Sequence, residues 1–236
     1  MLKAEDGNTV RISGTAAVTG EIRGTGNLVE ISSKAPVCEV RVSINGDNNV
    51  VSMVDVGTTR GLVVQVGNHR TADRCSFTVG VGTSFEVGVQ ALLYQDGNAI
   101  TLGQDCMLSN TIVFRGGEHP HLIFDMDTGA YLDVSDGIVI GNHVWIGEGA
   151  YITKHVTISS GSVVAARSVV TRRFDEENVV IGGNPARVVK RRVEWLRNHG
   201  SLKPGSRYEQ AYRDTKARLA RTSAEPEGFW ARLRSR

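Results

Sequence analysis

Residues 114 to 131 read FRGGEHPHLIFDMDTGAY and place two of the chain's six histidines, His119 and His121, one residue apart among Glu118, Asp125 and Asp127. An imidazole changes charge near neutral pH, so with a carboxylate to fix its tautomer it can accept a proton from a weak nucleophile; a set of imidazoles can instead bind metal. Spacing disfavours the metal: there is no His-x4-His pair, and the three cysteines, Cys38, Cys75 and Cys106, lie far apart with no Cys-x-x-Cys. They read as reduced, small core residues. Cations gather at the far end, where residues 186 to 236 hold 14 Lys and Arg against 5 Asp and Glu, whereas residues 1 to 185 hold 13 against 20. A basic end on an acidic body suits phosphates, an acidic lipid surface or nucleic acid on charge alone. Nucleic acid is not expected, because the tail has neither aromatic interleaving nor a groove-reading module.

The elements that must position these groups follow an unusual period. From Ile140 the aliphatics Ile146, Ile152, Ile158, Val164 and Val170 recur every six residues, and Val144, Ala150, Val156, Ser162 and Ser168 fall four places after the first five members. Neither a helix nor a flat strand repeats at six. One inward aliphatic per short strand and one small residue per turn make a three-sided coil of about 18 residues, which buries its apolar face only by stacking on the next coil. The same register holds upstream at Val79, Phe85 and Ala91 and, after the insertion YQDGN, at Leu102, Leu108 and Phe114. The expected fold is an all-β solenoid.

Composition agrees with a soluble globular protein: 40% of the 236 residues are apolar and 22% charged. No apolar run is long enough to span a membrane, and MLKAEDGNTV lacks the apolar core of a secretory signal, so a cytoplasmic location is expected. Residues 1–78 have looser hexads and a second marker, the GNTVRI, GNLVEI and NNVVSM segments, which returns at GNAITL (Gly97 to Leu102), each reading as a Gly or Asn corner before a strand. These are expected to be irregular N-terminal coils, with the regular repeat over 79–185 and a basic helical extension over 186–236. Two helices are expected there, one from the apolar spacing of Val188, Val189, Val193 and Leu196, the other over YEQAYRDTKARLARTS. Phe229 and Trp230 near the end are expected to pack on the body, with weak membrane-surface association of the basic tail as the alternative.

Together, the hexads, GNHVWIGEGAYI, SVVTRR and GGNPARVVKR resemble the hexapeptide-repeat acyltransferases, most of all the O-acetyltransferases of bacterial surface-polysaccharide synthesis and small sugars. The resemblance runs from about residue 79 to 192, is vague before it and absent from roughly the last 40 residues. It implies a left-handed parallel β-helix with short C-terminal α-helices, a homotrimer, acetyl-CoA as cosubstrate without a metal, and a sugar or polysaccharide acceptor.

From Phe114 the next hexad is due at 120 but the pattern resumes only at Ile140, so an inserted loop over about 115–138 leaves the solenoid. In the family such a loop carries a histidine beside a cleft between subunits. A neutral imidazole that takes the proton of an attacking sugar hydroxyl contributes roughly 10²- to 10⁴-fold. Counting forward from LGQDCM puts the family's His-Pro on His119 and Pro120, whereas counting back from FDMDTG puts its His-x-Ile-Phe-Asp pattern on HLIFD and so on His121. More positions match the second count, and His121 is preferred with His119 retained. Glu118, Asp125 or Asp127 would orient the base. For acetyl-CoA the resemblance points to Gly147, Glu148, Ala165, Ala166, Thr171 and Arg172 along the pantetheine arm and to Arg187 and Lys190 near the phosphates, with Trp145 at the groove and a backbone N–H near Gly147 or Glu148 on the thioester oxygen.

Three rivals share the fold or the site. An N-acetyltransferase of an amino sugar nucleotide needs almost the same groups, a noncatalytic scaffold needs none of them, and a β-helix carbonic anhydrase would use His119, His121 and Asp125 as zinc ligands. His143 and His155 read as ordinary surface histidines.

Overall fold

The computed structural model describes residues 1–117 and 121–223, with side chains to residue 220. The chain runs through β1 (Leu2–Ala4), β2 (Thr9–Arg23), β3 (Leu28–Asn45), β4 (Val50–Val56), β5 (Thr59–Val66), β6 (Ser76–Val79), β7 (Ser84–Phe85), β8 (Gln90–Leu93), β9 (Ala99–Leu102), β10 (Met107–Leu108), β11 (Val113–Arg115), β12 (Ile138–Ile140), β13 (Trp145–Ile146), β14 (Tyr151–Ile152), β15 (Val156–Ile158), β16 (Val163–Val164), β17 (Val169–Val170), β18 (Val180–Gly183) and β19 (Ala186–Lys190). Apart from the final β18–β19 hairpin the pairing is parallel, and the strands wind as a left-handed β-helix.

Pairing offsets record where chain has been inserted. Trp145 pairs with Val163 and Tyr151 with Val169, three hexads apart. Gln90 pairs with Val113, five residues more, which is the YQDGN insertion; Met107 pairs with Trp145, twenty more, which is the histidine loop. Each insertion leaves the coil and returns in phase. The return comes at Ile138, which pairs with Ile100 and is buried, so the loop covers 116–137.

Inward side chains stack one per face per coil: Leu108 on Ile146 on Val164, and Phe114 on Ile152 on Val170, all buried. Each such burial contributes about 1.5–3 kcal/mol, available only when the neighbouring coil is in place. Backbone turns obey the same period, with His143, Gly149, His155, Gly161 and Arg167 all left-handed (φ +51° to +70°) and each followed by a buried small residue.

The N-terminal coils belong to the same solenoid, and one buried core extends from Val18 to Ala186. The expected corners at Gly7, Gly26, Asn48 and Gly97 all have positive φ. Their neighbouring asparagines do a second job that spacing did not reveal. Asn27 Nδ2 donates to Asn8 Oδ1 (2.9 Å), Asn49 Nδ2 to Asn27 Oδ1 (2.9 Å), and the Cys75 amide to Asn49 Oδ1 (2.8 Å). This buried ladder satisfies polar groups that would otherwise penalise the corner.

The helix expected from Val188 does not form. Instead β19 turns back antiparallel on β18, pairing Arg187 with Gly182 and Ala186 with Gly183, while Val188 packs on the core. Consecutive β-branched valines fit an extended chain, and the hairpin shields the last coil's edge. Residues Met1–Trp195 therefore form one compact unit. The unit Leu196–Arg236 contains, in its described part, the 3₁₀ turn His199–Ser201 and α1 (Arg207–Ser223), which matches the second expected helix. Phe229 and Trp230 lie outside the described residues. No described helix is long and apolar enough to cross a membrane.

Candidate active site

The histidine loop leaves where β11 ends. Gly116 and Gly117 are buried there, and a Cβ on them would stand 2.9 Å from Asn98 Oδ1 and 3.0 Å from Gln95 Oε1. A larger side chain there would crowd the Asn98 and Gln95 amides. Beyond it residues 123–132 form a small hairpin, closed by bonds from the Asp125 amide to the Ala130 carbonyl (2.9 Å) and from the Leu132 amide to the Ile123 carbonyl (2.8 Å). Asp125 Oδ1 accepts from the Thr128 hydroxyl (2.8 Å) and from the amides of Thr128 (2.7 Å) and Asp127 (3.1 Å). Those bonds, led by the Thr128 hydroxyl, hold the carboxyl below the usual aspartate range. Asp125 Oδ1 is thus engaged in the turn.

The returning arm is fastened by the next two coils. Asp133, wholly buried, pairs with Lys154, and His155 Nδ1–H donates to Asp136 Oδ1 at 2.6 Å while Arg173 approaches the other oxygen at 3.9 Å. His155 is therefore no plain surface residue, a role without any local sequence signal. His121 is exposed, with no hydrogen bond among the described residues, and stands beside Leu122, Ile123, Phe124 and Met126, all exposed apolar side chains. His119 and Glu118 lie outside the described residues.

Gly147, Glu148, Ala165 and Ala166 come together on one edge of the solenoid, extended by Gly182. A Cβ on Gly147 would sit 2.7 Å from the Ala166 nitrogen, so its absence uncovers that amide. The Gly147 N–H is itself bonded to the Val164 carbonyl (2.8 Å), which corrects its expected part in holding an oxygen. The amides of Glu148 and Ala166 bond to nothing among the described residues. Uncovered amides on a narrow small-residue ridge fit the carbonyls of a pantetheine arm. Arg187 lies opposite Gly182 at the ridge's end. Lys190 is exposed and pairs with Val180 at the other end of β18. Thr171 and Arg172 follow β17 on a different corner, where Arg172 covers the Phe174 ring at 5.4 Å.

Trp145, 36% exposed, faces outward from β13 and donates from Nε1 to Ser109 Oγ (3.2 Å). Beside it is a residue that no sequence motif marks: Trp195, only 6% exposed, stacks on His143 at 4.0 Å and donates to the His143 carbonyl (2.8 Å), while His143 Nδ1 meets Asp105 at 2.7 Å. The three cysteines are buried thiols outside any disulfide, as expected, and burial pushes the Cys75 thiol up to about 11. Among the described residues no group of metal-binding side chains occurs.

With its hexad solenoid, the histidine loop between coils and the small-residue ridge, the chain is similar in sequence and fold to the left-handed β-helix, hexapeptide-repeat acetyltransferases. No family model matches it. It is 28% identical over 193 residues to the polysialic acid O-acetyltransferase of Neisseria meningitidis, covering 80% of this chain and 86% of that one. Over 143 residues it is 29% identical to the polysialic acid O-acetyltransferase of Escherichia coli O1:K1 / APEC, covering 61% of this chain but only 41% of that longer relative. Among solved structures, the polysialic acid O-acetyltransferase OatWY superimposes with a TM-score of 0.70 at 26% identity over 89% of this chain and 96% of that one. The polySia-specific acetyltransferase NeuO shares the fold, with a TM-score of 0.72 at 23% identity over 91% and 97%.

Proposed function

We propose that the chain is an acetyl-CoA-dependent O-acetyltransferase acting on a sugar hydroxyl in surface-polysaccharide synthesis. The observation that carries this reading is the loop of 116–137, which adds twenty residues at one corner of an unbroken solenoid and presents His121. The relatives' names, polysialic acid O-acetyltransferases, support a polysaccharide acceptor. The uncovered amides of Ala166 and Glu148 suit the pantetheine arm and thioester oxygen, and Arg187, at the end of the ridge, suits a phosphate.

The chemistry asks little of the protein beyond alignment and one base. A neutral His121 accepts the proton of the sugar hydroxyl as its oxygen attacks the thioester carbon; the tetrahedral oxyanion rests on backbone N–H, then collapses as the C–S bond breaks, the proton passes from His121 to the leaving sulfur, and CoA departs as the thiol while the acetyl group stays on the sugar. No acyl-enzyme is required, and Cys106, fully buried with Sγ 3.1 Å from the Gly141 carbonyl, is out of reach for one. A homotrimer places each loop against a neighbour, which accounts for the exposed Leu122, Ile123, Phe124 and Met126. The cell compartment expected for this use of acetyl-CoA is the cytoplasm.

Release of CoA thiol from acetyl-CoA with a panel of sugars and polysaccharide fragments tests the reading. Acceptor-dependent release that falls roughly 10²- to 10⁴-fold in His121→Ala supports it. Loss in His119→Ala alone moves the base two residues back along the chain; no release with any acceptor ends the proposal.

A further inference from the structure

The N-terminal coils differ from the later ones in shape. In the later coils Gly147–Gly149 and Ala165–Arg167 break the wall into two short strands per coil, whereas β2 and β3 run through the equivalent corner without interruption. β5 does so with a shift in register, where Gly61 (φ +83°) is the extra residue and the space above it is empty. The result is a broad wall of three strands. Along it lie two adjoining cavities, of about 370 Å³ and about 280 Å³.

Both cavities draw their floor from the outward, alternate residues of the same strands. The first is lined by Ala17, Thr19, Glu39, Arg41 and Gly61, the second continues with Glu21, Arg23, Ser43 and Gln65. From residue 17 to residue 23 the wall extends about 20 Å at 3.3 Å per residue. The trough ends at Gly67–His69, the corner from which the histidine loop departs two strands further on. Two strand spacings are about 10 Å. Between them stand Tyr94, whose hydroxyl donates to Gln65 Oε1 (3.0 Å), and Arg115, whose guanidinium covers the Tyr94 ring at 4.9 Å.

The trough is the wrong shape for a closed small-molecule site, which is enclosed. It is open and long, mostly apolar in the first cavity, where Ala17 and Val63 lie, and mostly polar in the second, with guanidinium donors, carboxylate acceptors, an amide and hydroxyls along neighbouring strands. A pyranose presents hydroxyls that both donate and accept, and vicinal pairs meet Arg and Glu two bonds at a time. Glu39 and Arg41 are exposed and form no ion pair among the described residues, so neither needs to break a bond to serve. We infer that this trough holds the non-reacting length of an extended oligo- or polysaccharide acceptor whose end reaches the loop histidine. The inference rests on the acetyl-transfer reading above and names its acceptor as a chain of several sugars. Binding energy from those remote sugars serves the reacting one.

Sialic acid oligomers of graded length, with maltooligosaccharides as a neutral series, test it in the full chain, comparing wild type with Arg41→Ala and with Thr19→Trp, which fills the trough. The expected outcome is a KM for long oligomers that rises about tenfold or more in both variants. KM for acetyl-CoA and turnover of the shortest acceptor should stay as in wild type. Equal effects on long and short acceptors, or none on either, overturn the inference. So does a change in oligomeric state in sedimentation, which would make this face a subunit contact. If wild type acetylates no sugar, the acetyl-transfer reading fails, and calorimetric binding of the oligomers to the three proteins still decides the trough: binding lost in Arg41→Ala and Thr19→Trp supports it, and no binding by wild type refutes it.

Discussion

Replacing Lys154 by methionine isolates what holds the histidine loop. Asp133 is fully buried and the Lys154 side chain is only 19% exposed, so removing the ammonium strands a carboxylate away from water. Breaking such a pair by one partner costs about 3–5 kcal/mol. The solenoid does not have to absorb that cost, because the arm from Tyr131 to Gly137 can lift into solvent while β11 and β12 stay paired to their neighbours. Local opening therefore limits the loss, and the body should melt close to the wild-type temperature. Hydrogen exchange should show lost protection at the Asp125, Gly129 and Leu132 amides, which close the hairpin. If about 3 kcal/mol is withdrawn from positioning, transfer slows by up to about a hundredfold at 1.4 kcal/mol per decade, in kcat more than in KM for acetyl-CoA. Lys154→Met combined with Asp133→Asn removes both charges and should recover most of the protection, a coupling of about 1–3 kcal/mol. Unchanged hairpin exchange in Lys154→Met alone would refute the argument, since a buried pair that anchors the arm cannot be dispensable.

Phe114→Ala should act on the body instead: the ring is fully buried at the strand before the loop, and its loss costs about 3–5 kcal/mol, seen as a lower urea midpoint. The Asp125 turn predicts acid sensitivity. Its carboxyl is held below the ordinary value of about 3.9, so its stabilisation is complete above that pH and disappears as pH falls through the lowered native value. Thr128→Val should raise the Asp125 titration midpoint in a carbon-detected NMR titration; a midpoint that does not move would show that Thr128 is not the main cause.

Some of this was readable because a period of six has few physical solutions. Ile140 through Val170 face inward in one stack each per face, as their spacing requires, and Gly7, Gly26, Asn48 and Gly97 turn with positive φ. The segment from Val188 misled because four apolar residues at helical spacing also fit an extended chain once a sheet edge is available to pair with. Propensity over a few residues is weaker than that edge. The ridge was legible through its small residues, yet Thr171 and Arg172 were grouped with it by motif and lie on another corner.

The order of hydrophobic and small residues along the chain was enough to determine the solenoid, its register and the place where the histidine loop must leave, because a misplaced residue in a six-residue period would turn a core side chain outward. Tertiary structure alone decided which distant groups meet. Asn8, Asn27 and Asn49 become a ladder, Lys154 and His155 grip Asp133 and Asp136, Trp195 lands on His143, and the N-terminal wall opens into a trough. Those contacts join coils whose spacing is set by insertions of five, twenty or other lengths, and no local pattern states which residues such insertions will bring side by side.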